Sequence, residues 1–122
     1  FVRGLDDSVP YFGGHDDLRL MVGQVDHFFV KTMHNVYNQT FDLGGDQGTA
    51  TGETYCLANH IIEQETGEWL IYDMAIRYHN FYAHEDGRWK FAGRRLDVQW
   101  VETRPVQKFT PDMLAKGQET LA

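Results

Sequence analysis

The fold is decided by residues 68–102, which read EWLIYDMAIRYHNFYAHEDGRWKFAGRRLDVQWVE. Two long segments rich in aromatic and β-branched side chains flank the triplet Glu85-Asp86-Gly87, which is typical of a tight hairpin turn. In the first segment Met74, Ile76 and Tyr78 alternate with mostly polar residues, as in a strand with one apolar face. The stretch therefore predicts two long antiparallel strands, at 68–84 and 88–102.

Two more strands are predicted upstream of this hairpin. Residues 34–43 are rich in Val, Tyr, Thr and Phe and end at the turn signal Gly44-Gly45-Asp46, and residues 48–63 follow it. Short turns join all four segments, so the sequence predicts an antiparallel meander. Long antiparallel strands favour a strongly curved sheet.

A helix is predicted before the sheet, over about residues 15–29. Apolar residues recur there at the spacing of one helical face, at Leu18, Val22, Val25 and Phe29. Thr110-Pro111-Asp112 is a typical helix start and predicts a short C-terminal helix. The chain is therefore predicted to have an α+β fold in which a curved sheet wraps over a helix.

The alternation along the strands predicts which side chains share a face. The two sets are Cys56, Ala58 and His60 on the second strand, and Leu96, Val98 and Trp100 on the fourth. The small side chains of Cys56 and Ala58 leave volume either for a ligand or for the packed helix, and both interpretations stay open.

Length, hydrophobic content and charge exclude several classes of protein. The 122 residues correspond to one domain, and 42% hydrophobic residues are enough for a core. Eleven Lys and Arg against 18 Asp and Glu give a net charge of −7, which argues against a nucleic-acid partner. No apolar run approaches the roughly 20 residues of a membrane span, and no signal peptide is evident. We therefore expect no membrane partner and a cytoplasmic location.

Most catalytic motifs are missing from the sequence. No His-x-His or His-Glu-x-x-His pattern occurs, so no metal is expected, and Ser8 is the only serine, without a nucleophile elbow. The single cysteine, Cys56, lies in mid-strand, where a small buried hydrophobe is more common than a nucleophile. Arg94 and Arg95 could bind an anion, although adjacent arginines on a strand are more often surface or ion-pairing residues.

General acid–base chemistry remains open. His34 begins the first predicted strand and His60 lies late on the second, so antiparallel pairing can place them in neighbouring positions. An imidazole in an apolar cavity stays neutral and can accept a proton. A structural role is the common alternative for any single histidine. The remaining histidines are assigned no role: His15, His27, His79 and His84.

An ordered set of segments resembles the SnoaL-like domain of the nuclear transport factor 2-like superfamily. These segments are YHNFY at 78–82, DGRWKFAGRR at 86–95 and Trp100, preceded by His34, by ATGETY at 50–55 and by His60. Within the family the resemblance is greatest to the branch of scytalone dehydratase, hexachlorocyclohexane dehydrochlorinase and bile-acid dehydratase. It covers roughly residues 10–102 and implies a cone-shaped, barrel-like α+β fold. In that fold a curved antiparallel or mixed sheet wraps around helices, and an apolar pocket opens at one end.

The resemblance also implies a site. Dehydratase-like members carry a catalytic base at the position of His34, and His60 matches a second pocket histidine of scytalone dehydratase. Cys56 is expected to line the pocket because it shares a face with Ala58. The positions that line the pocket in the family match Ala58, Ile76, Tyr78, Leu96 and Val98. Scytalone dehydratase carries polar residues at two of these, Ile76 and Tyr78, which implies a different substrate or less polar binding here.

One feature of the family has no match in this sequence. Its members pair the base with an aspartate, often with a tyrosine as well, on a helix well before the one predicted here. The sequence starts at Phe1, after that point, so we expect residues 1–122 to be a single domain that lacks its N-terminal helical segment. Neither Asp42 nor Asp73 is a good substitute, because Asp42 follows a different strand end and Asp73 faces outward.

The resemblance implies two alternative functions. The first is a cofactor-independent dehydratase, other lyase or isomerase for small apolar, cyclic molecules, with His34 as general base. His60 or Tyr78 would then hydrogen-bond the leaving or carbonyl oxygen. The alternative is a non-catalytic small-ligand-binding or assembly module, as in the transport factors and dioxygenase small subunits of the superfamily. A homodimer or homotrimer is expected, since members commonly associate through the outer face of the sheet.

Overall fold

The computed structural model describes residues 2–3, 13–44 and 48–121. The fold is α+β, as predicted, and both predicted helices and all four long strands are present. The predicted turn at Gly44-Gly45-Asp46 lies mostly outside the described residues. The elements in chain order are β1 (Val2–Arg3), α1 (Gly14–Phe28), β2 (Lys31–Asp42), β3 (Thr49–Glu63), β4 (Trp69–Glu85), β5 (Arg88–Val106) and α2 (Pro111–Leu121).

The strands form one curved, mixed sheet in the order β1-β5-β4-β3-β2. The four long strands pair antiparallel with their neighbours in the chain, which confirms the predicted meander. The two-residue strand β1 pairs parallel with β5, an addition that no sequence pattern predicted. The sheet does not close into a barrel, because β1 and β2 lie at its two edges.

The hairpin between β4 and β5 has the geometry that its sequence predicts. Asp86 and Gly87 have positive φ angles of 52° and 75°. Two consecutive residues in the left-handed region define a turn whose twist matches that of the flanking strands, and Asp-Gly adopts it at low cost. This turn sets the register in which β5 pairs with β4.

A bulge in β5 changes which face its side chains occupy. Ala75 pairs with Trp100 whereas Ile76 pairs with Val98, so Gln99 is an extra residue on β5. Each residue added to one strand moves the following side chains to the opposite face. The prediction that Trp100 shares a face with Val98 is therefore wrong, and Trp100 lies on the face of Ala75.

Four buried side chains form the core cluster of the sheet, and we call the face that carries them the inner face. Cys56 is paired with Ile76, Ala58 is the next residue of β3 on the same face, and Tyr78 completes the cluster. Burial of such side chains contributes roughly 25 cal/mol per Å² of apolar surface. The cluster fixes the middle of β3 against β4, and therefore the direction in which the inner-face side chains of both strands point.

Helix α1 forms where predicted, but its apolar stripe remains exposed in the described structure. No residue of α1 is buried, and Leu18 and Val22 are 50% and 57% exposed. The packed-helix interpretation of the small residues on β3 thus receives no support from α1. The helix is attached to the sheet just after its end, where the Val30 amide donates to the Ile61 carbonyl at 2.8 Å. Neither described helix is both long enough and apolar enough to cross a membrane.

A polar network crosses the opposite, outer face. Asn35 donates to the side chain of Asn59 at 2.6 Å, Asn59 donates to Asp73 at 2.5 Å, and Arg104 forms an ion pair with the same carboxylate. Asp73 does lie on the outer face, as predicted, yet it is only 5% exposed. Burial opposes ionisation of Asp73, but hydrogen bonds from Asn59 and Arg104 outweigh it and lower its pKa. This outer-face network links four neighbouring strands.

Candidate active site

Two histidines lie together on the inner face. In the register of β2 and β3, His34 is opposite Ala58 and Thr32 is opposite His60, so the two imidazoles are diagonal neighbours. Their ring centroids are 5.7 Å apart and their planes are inclined by 72°, an edge-to-face contact. Antiparallel pairing of the two strands produces this proximity, as the sequence predicts.

The backbone fixes the orientation of His60. His60 is 5% exposed, and its Nδ1 lies 3.1 Å from the carbonyl oxygen of Tyr72. A carbonyl can only accept a hydrogen bond, so Nδ1 carries the proton in the neutral ring and Nε2 keeps its lone pair. The ring of Phe29 packs on His60 with a centroid distance of 4.5 Å. His60 therefore presents one defined nitrogen for chemistry.

His34 is the more accessible of the two imidazoles. The residue is exposed, and in the described part of the chain no hydrogen bond fixes its tautomer. Partial burial of the ring, together with the neighbouring His60, lowers the pKa of His34 below its ordinary value. His34 is therefore neutral at pH 7 and holds a lone pair that can accept a proton.

The predicted pocket residues lie on the same inner face. Cys56, Ala58, Ile76 and Tyr78 form the buried cluster, and Leu96 packs against it. Val98 is opposite Ile76 and is half-buried. Four strands thus contribute one continuous surface, with the two histidines on β2 and β3 and the apolar side chains on β3, β4 and β5.

Tyr78 and Cys56 are neutral neighbours in the core cluster. Burial raises the pKa of Cys56, and burial followed by the nearby thiol raises the pKa of Tyr78. Tyr78 is paired with Thr54, whereas His60 is paired with Tyr72. Residues 54 and 60 are separated by about 20 Å along an extended strand. The structure therefore does not bring the Tyr78 hydroxyl to the histidine pair.

Arg94, for which the sequence leaves anion binding and ion pairing as alternatives, lies on the inner face opposite Asn80. Its Nε donates to the side chain of Asn80 at 2.7 Å, and Asn80 donates to the hydroxyl of Thr54 at 3.1 Å. Its guanidinium carbon lies 4.1 Å from the ring centroid of Tyr78 and 4.7 Å from that of Phe91. Arg94 is thus held over the inner face by one hydrogen bond and two aromatic rings.

The neighbouring Arg95 is an ion-pairing residue, the more common of the two alternatives for adjacent arginines on a strand. It forms a two-pronged ion pair with Asp97 at 3.0–3.2 Å, and Asp97 also lies 2.9 Å from His79. The sequence does contain a signal for the different role of Arg94. Asn80 continues the inward-facing alternation of Ile76 and Tyr78, and Arg94 is the residue paired with it. A polar residue at such a position needs a polar partner.

The histidine pair has no ion-pair partner among the carboxylates of the described residues. Within residues 13–44 and 48–121, the only histidine that forms an ion pair with a carboxylate is His79, on the outer face. No group of three His, Cys, Asp or Glu side chains converges in the same part of the chain. A carboxylate that orients His34 therefore stays a prediction.

A separate groove of about 560 Å³ opens at the turn between β3 and β4, and none of the predicted site residues lines it. Its walls come from the turn itself and from the end of β5. The lining residues are Gln64, Gly67, Glu68, Trp69, Leu70, Pro105, Val106, Gln107 and Lys108.

Comparison with known proteins identifies the family. Residues 3–95 match the family model of the SnoaL-like domain, so the chain belongs to the SnoaL-like domain family. This confirms the family resemblance found in the sequence.

Several solved structures share the fold. Hexachlorocyclohexane dehydrochlorinase LinA type 2 is 18% identical, with a TM-score of 0.67 over 90% of this chain and 72% of that one. The type 3 enzyme from Novosphingobium barchaimii is 17% identical, with the same TM-score and coverage. A candidate scytalone dehydratase from Novosphingobium aromaticivorans is 23% identical, with a TM-score of 0.61 over 79% of this chain and 62% of that one. A search of curated protein sequences found no significant match.

Proposed function

We propose that this protein is a cofactor-independent enzyme that removes a proton from a small apolar, cyclic molecule, with His34 as general base. The contact between His34 and His60 carries the proposal, since ring centroids 5.7 Å apart place an exposed and a buried imidazole side by side on the inner face. A neutral imidazole is a competent base near pH 7, and positioned proton transfer contributes about 10²- to 10⁴-fold in rate. The fold of dehydrochlorinase and dehydratase structures gives further support.

Two adjacent imidazoles can divide a dehydration between them. Partial burial and the neighbouring His60 lower the pKa of His34, so this ring is neutral and acts as the base. Neutral His34 takes the carbon-bound proton, and the electron pair of the broken C–H bond forms the double bond. We assign the acid role to His60, whose protonated form gives its Nε2 proton to the leaving hydroxyl, which departs as water. Isomerisation starts with the same abstraction and returns the proton to a different carbon.

We assign binding of the apolar part of the substrate to the inner-face cluster. Ligand pockets combine an apolar lining with a few polar anchors, which is the composition of this surface. His60 is better placed than Tyr78 to reach the leaving oxygen, because Tyr78 lies further along the sheet from His34. The proposed lining residues are Cys56, Ala58, Ile76, Tyr78, Leu96 and Val98.

Three further features belong to this proposal. A carboxylate orients His34 and stabilises its charged form, as in other acid–base pairs. The protein assembles as a homodimer or homotrimer through the outer face, where the outer-face network lies. It works in the cytoplasm, a reducing compartment compatible with the free, buried Cys56.

A panel of cyclic β-hydroxy ketones tests the proposal. Loss of water from such a compound gives a conjugated enone, which is followed by ultraviolet absorbance. We expect turnover by the unmodified protein, a loss of at least about 100-fold in His34→Gln, and no change in His15→Gln, which alters an exposed residue of α1. Unchanged turnover in the His34→Gln variant and in the His60→Gln variant would contradict the proposal.

The rival is the ligand-binding or assembly module, and the exposure of His34 in the described structure favours it. The same panel separates the two functions. A module binds panel members, with affinities that are the same in His34→Gln, and turns over none of them.

A further inference from the structure

We infer that Arg94 is an anion-binding residue of the inner face and that the substrate of this protein carries a carboxylate. The inference rests on the proposed function, because it takes the inner face as the substrate surface. It starts from the environment of one guanidinium in a chain of net charge −7.

Arg94 has no acidic partner in the described part of the chain, although the full sequence is rich in Asp and Glu. Three other arginines of this sheet pair with carboxylates: Arg77 with Glu53, Arg95 with Asp97 and Arg104 with Asp73. The contacts of Arg94 are instead neutral: the amide of Asn80 and the rings of Tyr78 and Phe91. Its positive charge is therefore uncompensated by the surrounding side chains.

Buried groups hold this charge in place. Asn80 is 1% exposed, and its amide is divided between Thr54, to which it donates, and Arg94, from which it accepts. The contact uses only Nε, so the two terminal nitrogens of the guanidinium donate to no side chain in the described residues. Two parallel N–H groups are the arrangement that binds a carboxylate in a two-pronged contact.

The position of Arg94 sets the distance between the carboxylate of the ligand and the part that reacts at His34. Arg94 is paired with Asn80, and Asn80 with Gly52, whereas His34 is opposite Ala58. Residues 52 and 58 are about 20 Å apart along an extended strand, and curvature of the sheet shortens the direct path. A ligand that reaches both ends therefore carries its carboxylate some distance from the ring that reacts.

Matched acid and amide probes test this assignment. We expect 2-naphthoate to bind the unmodified protein about tenfold more tightly than 2-naphthamide, by titration calorimetry, with a preference that weakens as salt is added. Arg94→Gln is expected to remove the preference, and Arg95→Gln to leave it unchanged. Arg94→Lys keeps a positive charge but loses the planar contact, so we expect an intermediate preference for the acid over the amide. This variant also controls for misfolding of Arg94→Gln.

The experiment also separates this inference from the proposed function. A His34→Gln variant that turns over nothing but still prefers the acid supports the assignment of Arg94 whatever the outcome for catalysis. Equal binding of 2-naphthoate and 2-naphthamide by the unmodified protein, or an acid preference that survives in folded Arg94→Gln, overturns it.

Discussion

The imidazole of His34 meets the imidazole of His60 edge to face, at a centroid distance of 5.7 Å, on two neighbouring antiparallel strands. His60 is buried and tied to the Tyr72 carbonyl, whereas His34 is exposed and has no such tie in the described structure. One ring thus has a fixed tautomer and the other is free to accept a proton. This asymmetry is the basis of the roles proposed for them.

The titration of His34 should reflect its neighbour. We expect its NMR titration midpoint to lie below the ordinary imidazole value of about 6.5, because partial burial and His60 both disfavour the charged form. His60→Gln removes the like charge and should raise the midpoint. His79→Gln, on the outer face, is the matched control and should leave it in place. A midpoint for His34 at or above the ordinary value in the unmodified protein contradicts the account.

Asn80 should be important for stability as well as for the position of Arg94. Asn80→Ala leaves Thr54 and Arg94 without their shared partner, and we expect a loss of about 1–3 kcal/mol in the free energy of unfolding. Urea denaturation measures the loss. Asn38→Ala, at an exposed position of β2, should change stability by less than about 0.5 kcal/mol. Equal effects of the two substitutions would show that the buried amide contributes little.

The outer-face network should make stability depend on pH in acid. The pKa of Asp73 is lower in the folded chain than in the unfolded chain, so the unfolded state takes up its proton first as pH falls. The contribution is complete above about pH 4 and disappears as pH falls through the folded-state value. Asp73→Asn should therefore flatten the acid limb of the stability curve, and Glu65→Gln, in an exposed turn, should not. Identical curves for Asp73→Asn and the unmodified protein would count against this.

Gly52 should tolerate no side chain. A Cβ there would lie 2.7 Å from the Thr40 carbonyl oxygen and 3.2–3.3 Å from the rings of Tyr82 and Phe41. Gly52→Ala is expected to lower the free energy of unfolding by about 1–3 kcal/mol, since backbone has to move. At Gly93 the nearest atom is 3.6 Å away, in the ring of Phe81, so Gly93→Ala is the tolerated control. Thermal melts of both variants decide the point, and equal melting temperatures would contradict it.

The strands and their order could be predicted because local signals determine them. Turn residues such as Asp86-Gly87 and the alternation along β4 require no knowledge of distant contacts. The bulge at Gln99 could not be predicted, because it depends on how β5 pairs with β4 and leaves no mark in the composition of β5. The prediction of the sheet face on which Trp100 lies was wrong for that reason.

The site was predictable in the same uneven way. The proximity of His34 and His60 follows from strand pairing, which the sequence indicates. The role of Arg94 depends on Asn80, a residue of the preceding strand whose burial becomes evident only when both strands are in place. Similarly, Asp73 was correctly placed on the outer face, but its burial depends on side chains from β3 and β5.

The most direct test of the central claim is hydrogen exchange on a cyclic ketone that has no leaving group. Proton NMR in D₂O follows loss of the acidic C1 hydrogens of 2-tetralone, so abstraction is measured separately from elimination. We predict protein-dependent exchange that falls at least about 100-fold in His34→Gln and less in His60→Gln. Exchange by His34→Gln at the rate of the unmodified protein would show that His34 is not the base.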